Sequence, residues 1–143
     1  MAKSYVLDTS AIFAFTKDET GSNIVEDILN LANKGKSPVY ISFVSFMELY
    51  YITWQEKSED SAKELIVLVK SLPICRIDSN ERLALLAGSI KVYHRLSVAD
   101  AFIAATAIDK GAILVHKDPE LKIISKYTET KELPYRQKKL RNP

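Results

Sequence analysis

The sequence predicts an α/β fold, a three-layer sandwich with a central, mostly parallel sheet of four to five strands flanked by helices. Three observations support this. Short segments such as Tyr5-Val6-Leu7 carry no polar face, as expected for strands covered on both sides of a sheet. Segments with helical spacing alternate with them along the chain. The 143 residues contain no internal repeat, low-complexity tract or long linker, which suits one domain spanning 1–143.

After the first strand, a helix can open at Thr9 under an Asp8 cap. Residues 22–33 repeat with helical period through Ile24, Val25, Ile28, Leu29 and Ala32, and Gly35 provides a stop. Pro38-Val39-Tyr40-Ile41 is the second strand. A helix over about 43–56 carries Phe43, Phe46, Tyr50 and Trp54 at spacings of three and four, an aromatic stripe suited to the core or a subunit interface. The helix over 59–72 is amphipathic through Ala62, Leu65, Ile66, Val69 and Leu72, and Pro73 ends it. Ile74-Cys75-Arg76-Ile77 is the third strand, followed by a helix over 80–94 through Leu83, Leu86, Ala87, Ile90 and Tyr93. Residues 97–110 are apolar almost all round until Asp109, so this helix is expected to be buried, with Gly111 ending it. Ala112-Ile113-Leu114-Val115 is the fourth strand, and a short helix, a possible edge strand and a tail complete the chain.

Composition is ordinary for a globular protein, with 47% hydrophobic and 27% charged residues. No apolar run approaches the roughly 20 residues of a membrane span. The N-terminus lacks the apolar region and cleavage site of an export signal, so a cytoplasmic location is expected. The single Cys75 lies in an apolar stretch and is expected to be a buried thiol. Net charge is only +2, but residues 1–116 balance at −2 (12 basic, 14 acidic) and residues 117–143 at +4 (8 basic, 4 acidic). The excess sits in a compact basic tail from about 136, through Arg136, Lys138, Lys139 and Arg141, able to contact a phosphate backbone.

Asp8, Glu48, Asp100 and Asp118 each end an apolar strand or open a helix. Right-handed crossovers bring such positions to one edge of a parallel sheet, where folds of this class hold ligands. Each acid also has a local explanation as a cap. Asp8 can cap a helix at Thr9, and Ser45 to Glu48 and Ser97 to Asp100 read as capping boxes. Asp118-Pro119-Glu120 reads as a helix start. Capping does not explain why an ionised Asp100 sits alone among Val, Ala, Phe, Ile and Thr, or Glu48 between Met47 and Leu49. Carboxylates about 4–8 Å apart repel by a few kcal/mol even at an effective dielectric near 20, and raise one another's pKa. A hard dication with oxygen ligands removes the conflict, which points to Mg²⁺, with Mn²⁺ as the alternative.

Other chemistries lack their residues. Four glycines supply no phosphate loop, and His94 and His116 with one cysteine supply no zinc site. No Gly-x-Ser-x-Gly elbow is present for a serine nucleophile. His94, beside Arg95 at a polar helix end, is expected to be solvated.

With the acids placed, the chain resembles the PIN domain family over nearly its whole length, and most the toxin nucleases of VapBC toxin–antitoxin systems. Leu7-Asp8-Thr9-Ser10-Ala11 resembles the family's opening motif, and Ser42 through Leu49 its second. Asp100-Ala101-Phe102-Ile103-Ala104-Ala105-Thr106-Ala107 is the most specific match, and Leu114 to Asp118 resembles the fourth motif. The resemblance implies a metal-dependent endoribonuclease with Asp8, Glu48, Asp100 and Asp118 as both catalytic acids and metal ligands, leaving a 5′-phosphate and a 3′-hydroxyl. It implies support from Ser10 for the first acid and a helper role for Glu120. His116 departs from the Thr, Ser or Asn common at its position, so altered activity is expected there. The resemblance further implies an RNA substrate, a homodimer, and an antitoxin protein that covers the acidic pocket and docks between the helices over about 43–72. Lys117, Lys122, Lys126 and the tail are the candidate RNA contacts. A dehalogenase-type phosphatase needs an acid where Ser10 stands, and a phosphoacceptor receiver needs paired acids after the first strand. The remaining alternative is a catalytically silent PIN scaffold that binds RNA or protein.

Overall fold

The computed structural model describes residues 2–135, so the basic tail expected from about 136 lies outside the described residues. The chain runs β1 (Tyr5–Leu7), α1 (Thr9–Thr16), α2 (Ser22–Asn33), β2 (Val39–Ser42), α3 (Phe43–Glu56) and α4 (Glu59–Ser71). It continues through β3 (Cys75–Ile77), α5 (Glu81–Tyr93), α6 (Val98–Lys110), β4 (Ile113–His116), a 3-10 helix (Pro119–Lys126) and β5 (Thr130–Glu132). All strand pairings are parallel, in the order β3-β2-β1-β4-β5.

Strand alternation divides the core into two layers. Val6 and Leu114 face α5, α6 and the 3-10 helix, packing with Leu83, Ile90, Ile103, Ala104, Leu121 and Ile124. Leu7, Ile41, Ile113 and Val115 face the other way, toward Ile12, Val25, Ile28, Leu49 and Val69 of α1 to α4. Helix α6 is the apolar rod its sequence suggests, with Ala101, Ile103, Ala104, Ala105, Thr106 and Ala107 all buried. Gly111 ends it in the left-handed conformation at φ 58°.

The strand order positions the site. The chain builds outward from β1 through β2 to β3, then returns to lay β4 on the opposite side of β1. Connections leave β1 and β4 in opposite directions, which opens a crevice at their carboxyl ends. Asp8 follows β1 directly, and Asp118 stands two residues beyond β4.

Two sequence expectations are corrected. Cys75 is exposed, because β3 is an edge strand whose first two residues lack cover. The aromatic stripe of α3 is only partly core: Phe43 and Phe46 pack half-buried against the core and Trp54 is 46% exposed, whereas Val44, Ser45, Leu49 and Thr53 are buried. The large rings sit on the shoulder of the helix, and the smaller residues allow it to approach the sheet.

Leu114 is fully buried in β4, between β1 and β5. Leu114→Ala should lower unfolding free energy by about 2–5 kcal/mol, read from a shift in the urea midpoint at unchanged slope. A shift no larger than that of a surface substitution would contradict the packing described.

Candidate active site

Each acid is held by a fixture on its own or a neighbouring element. Asp8 is 3% exposed and is the N-cap of α1. Its Oδ2 accepts the Ser10 backbone N–H at 3.1 Å and also the Ser10 hydroxyl. Ser10 Oγ in turn accepts the Lys117 N–H at 2.9 Å, tying the end of β4 to the first acid.

Glu48 lies in the second turn of α3, and its Oε1 accepts the Thr9 hydroxyl at 2.8 Å. Thr9 Oγ1 also lies 2.9 Å from Ser45 Oγ. A hydroxyl donates its proton once, so with Thr9 donating to Glu48, Ser45 is the donor to Thr9. The predicted capping box at Ser45 does not form. Helix α3 starts three residues earlier under a Ser42 cap, so Ser45 is already helical and shares a face with Glu48.

The Ser97 cap is present, with its hydroxyl accepting the Asp100 N–H at 3.1 Å. Asp118 caps the 3-10 helix, its Oδ1 accepting the Glu120 N–H at 2.9 Å. Capping therefore does not compete with a shared site. It engages Asp8 Oδ2 and Asp118 Oδ1.

Asp100 is where the charges meet. Its carboxyl is pushed up to about 7, first by loss of hydration, then by the charges of Asp8, Asp118 and Glu48, against a smaller downward pull from Ser97. Asp8 rises to about 6, mainly through burial, with the Ser10 hydrogen bonds opposing and the Glu48 charge adding. Asp100, Asp118 and Glu120 each offer a carboxylate oxygen within 4.8 Å of the others. The charges of the other three predicted acids thus act on Asp100, and the tight group joins Asp100 and Asp118 with Glu120, expected only as a helper, rather than with Asp8 or Glu48. Hard oxygen donors in this number suit Mg²⁺ or Mn²⁺. None of the ion pairs among the described residues uses Asp8, Glu48, Asp100, Asp118 or Glu120.

His116 is buried, and its Nδ1 accepts the Asp118 N–H at 3.2 Å. Burial is the main cause holding its pKa below the ordinary histidine value. Of the candidate RNA contacts, Lys117 is engaged elsewhere: its Nζ donates to the Thr20 carbonyl at 2.8 Å and lies 3.9 Å from Glu19. Lys122 is 3.7 Å from Glu132, and Lys126 is exposed. His94 is paired with a side chain rather than simply solvated, its Nε2 lying 2.5 Å from the Tyr127 hydroxyl.

Sequence reasoning passed over Thr9 and Ser45. The available signal was a hydroxyl beside the first acid and another three residues before the second, but linking them required the packing of α1 against α3.

The PIN domain family model matches residues 5–127. VapBC2 from Rickettsia felis, solved bound to a DNA fragment from their promoter, superposes with a TM-score of 0.74 at 20% identity, covering 92% of this chain and 99% of that one. DNA-bound VapBC from Salmonella typhimurium gives 0.72 at 20% identity, covering 92% and 98%. Mycobacterium tuberculosis VapC20, a sarcin-ricin loop cleaving toxin, gives 0.66 at 19% identity, covering 83% and 93%. At these identities the likeness is one of fold. No curated protein sequence matches the chain.

Two predictions follow from the geometry. Asp8 and Asp100 are held above their ordinary 3.8, so between about pH 4 and 7 the folded state binds more protons than the unfolded one. Their contribution therefore destabilises the metal-free protein as pH rises through that window. In EDTA, Asp100→Asn should raise the melting temperature, with a gain that grows toward pH 7 and then levels off. A substitution that lowers the melting temperature at pH 8 would refute the crowding. Separately, Thr9→Val should weaken Mn²⁺ binding by roughly 10- to 100-fold in calorimetry, and Thr9→Ser should restore it. An equal loss in both variants would refute a hydroxyl role.

Proposed function

The chain belongs to the PIN domain family, whose model spans residues 5–127, and from that premise we propose that it is a metal-dependent endoribonuclease of the VapC toxin type. The observation that carries the reading is the acidic group of Asp100, Asp118 and Glu120, whose oxygens lie within 4.8 Å of one another, with the charges of Asp8 and Glu48 also acting on Asp100. None of these acids pairs with a basic side chain among the described residues, which supports a site for a divalent cation. The solved neighbours support the biological role: VapBC assemblies and a toxin that cleaves the sarcin-ricin loop.

In this reading Asp8, Glu48, Asp100 and Asp118 hold the ion, with Glu120 beside the last two. A bound Mg²⁺ or Mn²⁺ supplies an acidified water and neutralises charge on the scissile phosphate. The protein's part is to orient the carboxylates. Ser10 fixes Asp8 Oδ2, Thr9 fixes Glu48 Oε1 and the Glu120 N–H fixes Asp118 Oδ1, so in each case one oxygen is anchored and the carboxylate is oriented. Binding of a cation also favours the ionised forms of Asp8 and Asp100, the two groups that burial pushes toward protonation.

Surface chemistry supports protein partners. On α3, Met47, Tyr51 and Trp54 form an exposed apolar stripe that begins beside Glu48. A cleft of about 240 Å³ between α1 and the α3–α4 pair is lined by Phe13, Thr53, Leu65 and Leu68. An antitoxin segment lying along these helices would reach the acids. On α5, Leu85 and Val92 are exposed seven residues apart on one face, with Tyr93 beside them, which suits a second copy of the chain. No helix among the described residues is long and apolar enough to cross a membrane.

Asp8→Asn should reduce RNA cleavage by more than roughly 100-fold, since even outer partners of a metal site cost about 10- to 100-fold, and the variant should melt no lower than the wild type. Wild-type cleavage should vanish in EDTA and return with Mg²⁺ or Mn²⁺. Cleavage by Asp8→Asn at the wild-type rate would remove the site assignment. A wild-type protein that binds RNA but never cuts it would leave the silent scaffold.

A further inference from the structure

We propose that His116 is a positioning residue for Asp118, acting through Nδ1 as a side-chain acceptor for the backbone turn that presents that acid. The activity arm of this inference rests on the nuclease reading above.

His116 closes β4, is fully buried, and lies on the same strand face as Leu114. Its Nδ1 accepts the N–H of Asp118 at 3.2 Å. A nitrogen that accepts carries its lone pair, so the ring proton resides on Nε2. Nε2 is itself buried and has no hydrogen-bond partner among the described residues. An unpaired buried N–H is unfavourable, and a leucine or phenylalanine would fill much of the same space without it. The feature that distinguishes His116 from an apolar filler is therefore the acceptor at Nδ1.

That acceptor serves the site directly. Two N–H groups follow β4 before the 3-10 helix begins, those of Lys117 and Asp118. The first goes to Ser10 Oγ, which donates to Asp8. The second goes to His116 Nδ1. Asp118 is thereby held in extended backbone at φ −121° and ψ 115°, from which its Oδ1 caps the helix at Glu120. The bond from the His116 side chain to the N–H two residues on has the connectivity of an Asx turn. It fixes the segment carrying Asp118 and Glu120, two of the three carboxylates in the tightest acidic group.

The two nitrogens can be separated experimentally. The side-chain amide of asparagine falls near the place of Nδ1, and that of glutamine near the place of Nε2. His116→Asn should keep Mn²⁺ affinity and kcat on a single-stranded RNA within about threefold of wild type, whereas His116→Gln and His116→Leu should each lose roughly 10- to 100-fold. KM should change little, because the turn orients a carboxylate and leaves the RNA surface alone. His116→Leu should lose Mn²⁺ affinity even where it melts at or above the wild-type temperature. Retention by Gln with loss in Asn would assign the role to Nε2 and overturn the proposal, as would three variants that all behave like wild type. Should the wild type bind Mn²⁺ and cut no RNA, the nuclease reading fails while the affinity series still decides the role of His116. Nitrogen NMR of the metal-free wild type gives a readout independent of any variant. A neutral ring protonated at Nε2 is expected, and one protonated at Nδ1 would overturn the inference.

Discussion

Burial of carboxylates at the carboxyl ends of β1 and β4, with repulsion among them added, is the constraint to which the surrounding structure responds. Burial alone makes ionised Asp8 unfavourable, and Asp100 bears the added charge of three neighbours. A chain left to itself would relieve this by rotating side chains into water. Here short hydroxyl and backbone bonds oppose that motion, and most involve residues adjacent to the acids themselves. Ser10 and Thr9 follow Asp8 directly, yet they serve different acids, Ser10 holding Asp8 and Thr9 reaching across to Glu48. The first turn of α1 thus aligns carboxylates from two elements, and Ser10 adds a bond to the backbone after β4.

Helix caps usually stabilise a terminus and do little else. At this crevice they also set side-chain direction. A carboxylate that caps through one oxygen cannot rotate about its last torsion without losing the bond, so the second oxygen acquires a fixed direction. Asp8 and Asp118 both use this device. Ser97, by taking the Asp100 N–H, secures the start of the α6 turn that carries the third acid.

Much of the fold was legible in the sequence because apolar spacing reports burial. The strands at Tyr5, Val39 and Ile113, and the all-round apolar helix before Gly111, lie where that spacing placed them. Legibility ended where packing order decides the outcome. Cys75 sits in an apolar stretch, and only the strand order places it on an uncovered edge. The rings of α3 looked like its core stripe, but close approach to the sheet selects Ser45, Leu49 and Thr53 instead. At the candidate site the acids stood out because each interrupts an apolar segment. The hydroxyls of Thr9 and Ser45, common polar residues with no periodicity of their own, gave no comparable signal. His116 signalled only that it departs from a resembled pattern, and its contact with the Asp118 N–H depends on backbone geometry that composition does not encode.

The placement of basic side chains bears on why the crowding is kept. A lysine directed into the crevice would neutralise it permanently and lower the raised carboxyls. Lys117 is adjacent to Asp118 in sequence, yet its ammonium turns to the Thr20 carbonyl and Glu19. Lys17 pairs with Glu56, Arg82 with Asp109 and Lys122 with Glu132, so none of these pairs uses one of the four acids. These exposed pairs each contribute little to stability, so pairing elsewhere is a small gain beside the repulsion left unrelieved. Among the described residues no ion pair relieves these acids, which lowers stability in the metal-free state. In the proposed function, that charge would be matched by an exchangeable ion and by a substrate phosphate bound to it. A built-in cation would compete with both, and the orientation of Lys117 away from the crevice is what the proposed metal centre requires.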